Sequence, residues 1–286
     1  MRVVLADSYG MCFGVRDAIE MALTAHRPQE LTVLGELVHN AEVLRRLREA
    51  GLRIAPSLHA PAETPRVMIT AHGASNAAIA DLRAQGLQVE EATCPLVRHA
   101  HRMLERLVAR GYFPVVIGKR DHVEVLGLVG DLDEYEVIEK ADEISRLAGR
   151  ARLGIVSQTT QPLEQVQAMV AQIRRTYPQS EVRFVDTVCA PTKERQQAAR
   201  RLAAECGVVI VIGGRSSNNT RQLVRTCEAE GARAYQVESV LDLHPDWLLD
   251  VDTVGLTAGT STPDEVINEV YQALLRFAGR EMPLAA

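Results

Sequence analysis

The chain has 286 residues, of which 47% are hydrophobic and 24% charged, with a formal net charge of −5. Such a composition belongs to a globular protein able to bury a sizeable core, and its acidic balance argues against a nucleic-acid surface, which needs clustered Lys and Arg to release counterions. No apolar run approaches the ~18 residues of a membrane-spanning helix, and the stretch from Met1 to Cys12 lacks a signal-peptide layout, so no membrane contact and a cytoplasmic location are expected.

Taken in chain order, the apolar strand RVVLAD at the N-terminus leads to Cys12, and a helical pattern follows in VRDAIEMALTAHR. The short strand LTVLG then reaches Gly35, and the polar loop ELVHN, which carries His39, opens another helix. A second strand, in VMITAHGAS, ends in a loop with His72; a helix follows, and a strand leads to Cys94. The same order then recurs. After Cys94 come the helix LVRHAHRMLERLVARG, the strand FPVVIG ending at Gly118, a loop with His122 and Glu124, and the strand and loop LGIVSQTT with Thr159. After Cys189 come the helix TKERQQAARRLAAECG, the strand VVIVIG ending at Gly213, a loop with Ser217, Asn218 and Asn219, and the strand and loop TVGLTAGTS with Ser261. The separations from cysteine to glycine are 23, 24 and 24 residues, which marks a repeated plan.

Alternation of helices with continuous Val/Ile/Leu strands predicts an α/β protein with parallel sheets covered by helices. Three pseudo-repeated lobes are expected, over 13–93, 94–188 and 189–280, with the N-terminal strand of 1–12 completing the last. Carboxyl ends of the strands facing inward would place three thiols and six polar loops around one pocket. The plainer alternative, a doubly wound protein with incidental cysteines, explains the alternation but not the register. The Arg-rich patches Arg45, Arg46, Arg48 and Arg200, Arg201 read as solvated helix faces.

Five widely spaced cysteines favour metal or redox chemistry over disulfides, with Cys206 and Cys227 as fillers within helix-like stretches. Cys12, Cys94 and Cys189 each stand where a strand gives way to a helix, and the positive end of a helix dipole favours an anionic ligand. Three soft sulfur donors suit zinc or an iron-sulfur cluster; structural zinc would recruit a fourth ligand, often in a CxxC pair that is absent here. Three protein ligands leave one position open for a substrate. The loop residues His39, His72, His122, Thr159, Ser217, Asn218, Asn219 and Ser261 are mostly neutral donors near helix starts, which suits a phosphate or diphosphate. Singly, such residues are ordinary N-caps; matched positions in three copies are what single them out. Glu124 is the one carboxylate among them and a candidate proton donor, with a pKa that burial would raise.

Nine segments, in order, resemble the 4-hydroxy-3-methylbut-2-enyl diphosphate reductase (LytB/IspH) family: CFGVRDAI, GELVHN, AHGAS, ATCPLV, HVEV, SQTT, DTVC followed by RQ, SSNNT and TAGTSTP. The resemblance implies a three-lobed α/β fold around a central 4Fe-4S cluster held by Cys12, Cys94 and Cys189. It also implies removal of an allylic hydroxyl with two electrons and two protons, a reaction of non-mevalonate isoprenoid biosynthesis, giving isopentenyl and dimethylallyl diphosphates. His39, His72, His122, Ser217, Asn219 and Ser261 would hold the diphosphate, Glu124 would deliver protons, and Thr159 would orient the hydroxyl and relay a proton. Ferredoxin or flavodoxin would supply electrons. The chain departs from the family pattern at Lys119, where His is usual, at Val123, where Pro is usual, and at Asn218, a serine position in the diphosphate wall. A divergent paralogue acting on a related allylic or phosphorylated substrate, a non-catalytic iron-sulfur sensor and a plain zinc protein stand as alternatives.

Overall fold

Residues 208 to 212 read Val-Val-Ile-Val-Ile and all five are buried, as a parallel strand covered by helices on both faces must be. The computed structural model of the protein describes residues 1–279; residue 280, the expected end of the third lobe, lies outside them. The chain begins with β1 (Arg2–Leu5), α1 (Phe13–Leu23), β2 (Leu31–Leu34), α2 (Ala41–Glu49), β3 (Arg53–Ala55), β4 (Arg66–Ile69), α3 (Asn76–Ala84) and β5 (Gln88–Glu91). It continues with α4 (Pro95–Val108), β6 (Phe113–Ile117), α5 (Val123–Val129), β7 (Glu136–Ile138), β8 (Arg152–Ser157), α6 (Leu163–Thr176) and β9 (Glu181–Phe184). The last stretch holds α7 (Ala190–Glu205), β10 (Val208–Ile212), α8 (Asn218–Ala229), β11 (Arg233–Val237), β12 (Thr253–Ala258) and α9 (Asp264–Ala278).

These strands form three parallel four-stranded sheets, in the orders β3-β2-β4-β5, β7-β6-β8-β9 and β11-β10-β12-β1. The α/β class and the threefold repetition expected from the sequence are both present. β1 pairs with β12, Arg2 opposite Thr253, and so occupies the place that β5 and β9 hold in the other sheets. Each sheet also contains a strand that the sequence pattern does not announce: β3, β7 or β11. These are edge strands, and the first two have only three residues. A short edge strand carries little apolar periodicity to read.

By packing, Met1–Cys12, His39–Ala41 and the described residues 190–279 form one unit around the sheet containing β1. Phe13–Val38 and Glu42–Cys189 form a second unit with the other two sheets. Alternate residues of β10 feed the two faces of its sheet. Val209 and Val211 pack with Leu202, Leu223 and Cys227, while Val208, Ile210 and Ile212 pack with Leu256, Val270 and Leu274. The sheet of β6 and β8 divides in the same way, with Val115, Ile117 and Ile155 against Val166 and Ile173, and Val116 and Val156 against Leu104 and Leu128. Each such side chain contributes about 1.5–3 kcal/mol by leaving water, so the central strands anchor the loops at their ends. Among the described residues, no helix is long and apolar enough to cross a membrane.

Candidate active site

The loops after the central strands carry the polar residues. After β6, His122 has extended backbone angles and caps α5, its Nδ1 accepting from the backbone N–H of Glu124 at 3.1 Å. That bond leaves the neutral imidazole with its proton on Nε2, where it acts as a donor. The cap also starts the helix at Val123 and thereby turns Glu124 inward, where only 2% of it is exposed.

The loop after β8 meets this carboxyl. Thr159 donates twice to it, from its backbone N–H to Oε1 at 2.6 Å and from its hydroxyl to Oε2 at 2.9 Å. Burial pushes the Glu124 carboxyl up to about 7, although both Thr159 bonds pull the other way. Desolvation dominates because a carboxylate loses more hydration on burial than two donors restore. Near neutral pH the group therefore exists in both protonation states, as a general acid requires. His72, after β4, stands in the same unit with its ring edge-on to that of His122, 5.6 Å between centroids, and its Nδ1 lies 3.3 Å from the Thr70 hydroxyl.

The other unit brings together a second set. Ser217 caps α8, its hydroxyl accepting from the Thr220 N–H at 3.3 Å. Asn218 and Asn219 open that helix and are both buried. Asn219 Oδ1 accepts from the Thr260 N–H at 3.0 Å, whereas its Nδ2 is buried with no hydrogen-bond partner. The Ser261 hydroxyl donates to the His39 carbonyl at 3.3 Å, which ties the loop after β2 to the loop after β12.

Cys12, Cys94 and Cys189 each stand one residue before a helix, α1, α4 and α7, and Pro95 occupies the first position of α4. Each cysteine N–H donates to a carbonyl in the loop after the second central strand of a sheet: Cys94 to Ala71 at 3.1 Å, Cys189 to Thr159 at 3.0 Å and Cys12 to Thr260 at 3.1 Å. The acceptor lies two residues past the end of β4, β8 or β12 in every case. The thiols are thus tied by backbone to the loops bearing His72, Thr159 and Ser261. All three are partly exposed and form no disulfide, whereas Cys206 and Cys227 are buried in the core of the β10 sheet. Burial pushes the Cys227 thiol up to about 12 and raises that of Cys206, so both stay protonated and are poor ligands.

Among the described residues, no three His, Cys, Asp or Glu side chains are grouped to hold one metal ion. The donor set nonetheless fits a sulfur-ligated group. A Cβ added at Gly14 would overlap Cys94 Sγ, so the glycine after Phe13 keeps the space around that sulfur open. Sequence reasoning alone passes over Gly14, and also Gln158, which is fully buried. Gln158 Oε1 accepts from the N–H of Lys119 and from Gln161 Nε2, at 3.0 and 2.9 Å, so it fixes the loop leading to His122 and Glu124 against the loop of Thr159. Its place between a buried strand and Thr159 was the only available signal. Lys119 enters this arrangement through its backbone.

The fold and these loops define an α/β protein of three parallel sheets, each with a cysteine tied to its second loop, and with a buried acid held by a threonine. Residues 3–275 match the model of the LytB protein family, and the chain belongs to that family. A Geobacter sulfurreducens protein named 4-hydroxy-3-methylbut-2-enyl diphosphate reductase is 35% identical over 283 residues, 98% of this chain and 99% of the relative. A protein of the same name from Aquifex aeolicus is 35% identical over 94% of each chain. The structure of the corresponding reductase from Plasmodium falciparum superposes with a TM-score of 0.89 at 26% identity, covering 96% of this chain and 87% of that one. A second reductase structure, described as the terminal enzyme of the non-mevalonate pathway, gives a TM-score of 0.68 at 34% identity, covering 96% of this chain and all of that one.

Proposed function

We propose that this chain reductively dehydroxylates 4-hydroxy-3-methylbut-2-enyl diphosphate to isopentenyl and dimethylallyl diphosphates. Family membership over nearly the whole chain supports the reaction; the observation that carries the chemistry is the buried Glu124 carboxyl, poised near pH 7 and held at both oxygens by Thr159. The residues present fit a 4Fe-4S cluster with Cys12, Cys94 and Cys189 as its protein ligands: three partly exposed thiols, each ahead of a helix, with Gly14 clearing space at one sulfur. Such a cluster, when bound, supplies electrons received from a ferredoxin or flavodoxin.

The balance of the reaction is a C–O bond broken, a C–H bond formed and water released, with two electrons and two protons consumed. Glu124 supplies protons, since its protonated form is populated at neutral pH. When the carboxyl is protonated, its contact with the Thr159 hydroxyl can reverse in sense, the carboxyl donating and the hydroxyl passing its own proton on. The diphosphate is bound by His39, His72, His122, Ser217, Asn218, Asn219 and Ser261, all neutral or weakly basic donors. Asn219 Nδ2 is the plainest case, because a buried donor lacking a partner gains a bond when an anionic oxygen arrives.

The three lobes proposed for this work are 13–93, 94–188 and 189–280 with 1–12; the recurring strand order supports that division. A reducing cytoplasm is the proposed location, as thiols kept free for a cluster require. The test is turnover: anaerobically reconstituted protein given the substrate and a low-potential reductant forms both products. Absence of turnover with an intact cluster overturns the proposal.

A further inference from the structure

Arg195 lies in α7 and is only 7% exposed. Its guanidinium donates to backbone carbonyls: Nε to Gly10 at 2.9 Å, Nη1 to Pro191 at 3.0 Å and Nη2 to Tyr9 at 3.5 Å. Pro191 is in the arginine's own helix, but Tyr9 and Gly10 belong to the segment that delivers Cys12. The opposite edge of that segment is also held, by Gly10 N–H to the Ala258 carbonyl at 3.0 Å and Cys12 N–H to the Thr260 carbonyl at 3.1 Å. Gly10 has φ +72°, and a Cβ there would meet Ile267 Cδ1 at 2.8 Å, so the turn has one close-fitting conformation. The end of β12 and Arg195 therefore grip the Cys12 segment from two sides.

A neutral donor would also satisfy a carbonyl, and burying a guanidinium costs far more desolvation than burying an amide. A permanent charge at this place has a consequence that an amide would not. Consecutive Cα atoms are about 3.8 Å apart, so the carbonyl of Gly10 lies within roughly 8 Å of the Cys12 backbone, and Arg195 Nε stands 2.9 Å beyond that oxygen, a separation over which a unit charge still acts at the effective dielectric of a partly buried site. α7 itself begins one residue after Cys189.

We propose that Arg195 is a positioning residue for the iron-sulfur cluster: it clamps the Cys12 segment and, as a fixed cation, eases reduction of the group that Cys12 holds. The inference rests on the reading of Cys12 as a cluster ligand. Reconstituted full-length wild type, R195K and R195M are compared anaerobically by the rate of cluster loss to an iron chelator and by the midpoint potential from an EPR-monitored redox titration. R195M is expected to lose its cluster at least about tenfold faster, as removal of an outer-shell partner commonly does, and to titrate at a lower potential. R195K keeps the charge but cannot span the carbonyls, so it should show the faster loss at a potential close to wild type. A wild-type value of either quantity in R195M overturns the proposal. Where R195M does not fold, R195K decides: faster loss supports the clamp and wild-type loss overturns it. Wild-type protein that takes up no cluster would refute the cluster reading itself, and is seen before any variant is compared.

Discussion

Replacement of Glu124 by Gln separates chemistry from stability. The amide is nearly isosteric, its oxygen can accept from the Thr159 N–H, and its NH2 can donate to the Thr159 hydroxyl, so both contacts survive. What disappears is the titration. A rise from the ordinary value near 4.5 to about 7 means that the folded protein holds this proton more tightly than the unfolded chain does. The wild type is thus favoured fully below pH ~4.5 and loses that advantage as pH rises through about 7, by roughly 3 kcal/mol at 1.36 kcal/mol per pH unit. Gln has no such loss. Chemical denaturation of wild type and E124Q under argon, at intervals from pH 5 to 8.5, should show their stabilities diverging in favour of E124Q as pH rises. Turnover should fall by roughly 100- to 10,000-fold, the usual worth of a general acid. Stability curves that stay parallel across this range, or E124Q turning over at the wild-type rate, would refute the reasoning.

Other substitutions test neighbouring parts of the site. Thr159→Val removes one of the two donors that lower the Glu124 carboxyl, so the alkaline limb of the rate profile should move to higher pH while the rate falls and stability drops by about 1–3 kcal/mol. Gly14→Ala drives a methyl into Cys94 Sγ and should cut iron and sulfide per chain, read by metal analysis; Cys227→Ala, in the core of the β10 sheet, should leave both unchanged. Asn219→Ala removes the buried Nδ2 and should raise KM far more than it lowers kcat, read by steady-state kinetics.

Much of the fold was written in one dimension. The runs LTVLG, FPVVIG and VVIVIG become β2, β6 and β10, because strands buried on both faces must be apolar throughout. The recurring cysteine-to-glycine interval anticipated the recurring sheets. β3, β7 and β11 are not legible in this way, since an edge strand of three to five residues has little pattern to read. The site was legible as residue types and less so as partners. Glu124 and Thr159 stood out as polar residues after strands, but a carboxyl held twice by a residue 35 positions away depends on tertiary packing. His39 sits in the first repeat by sequence and packs with the unit formed by the described residues 190–279, where a Cβ on Gly214 would press on its carbonyl. Arg195, hidden within a polar helix, carried no local sign that its guanidinium reaches Tyr9 and Gly10.

Conversion of 4-hydroxy-3-methylbut-2-enyl diphosphate in deuterated water, with cluster-loaded protein and a low-potential reductant, probes the proposed reaction most closely. Proton delivery to carbon with loss of the hydroxyl as water should give two isomeric diphosphates, each lacking the hydroxyl oxygen and carrying one solvent-derived deuterium by mass spectrometry. Recovery of unchanged substrate from protein with an intact cluster, or products without deuterium, would contradict it.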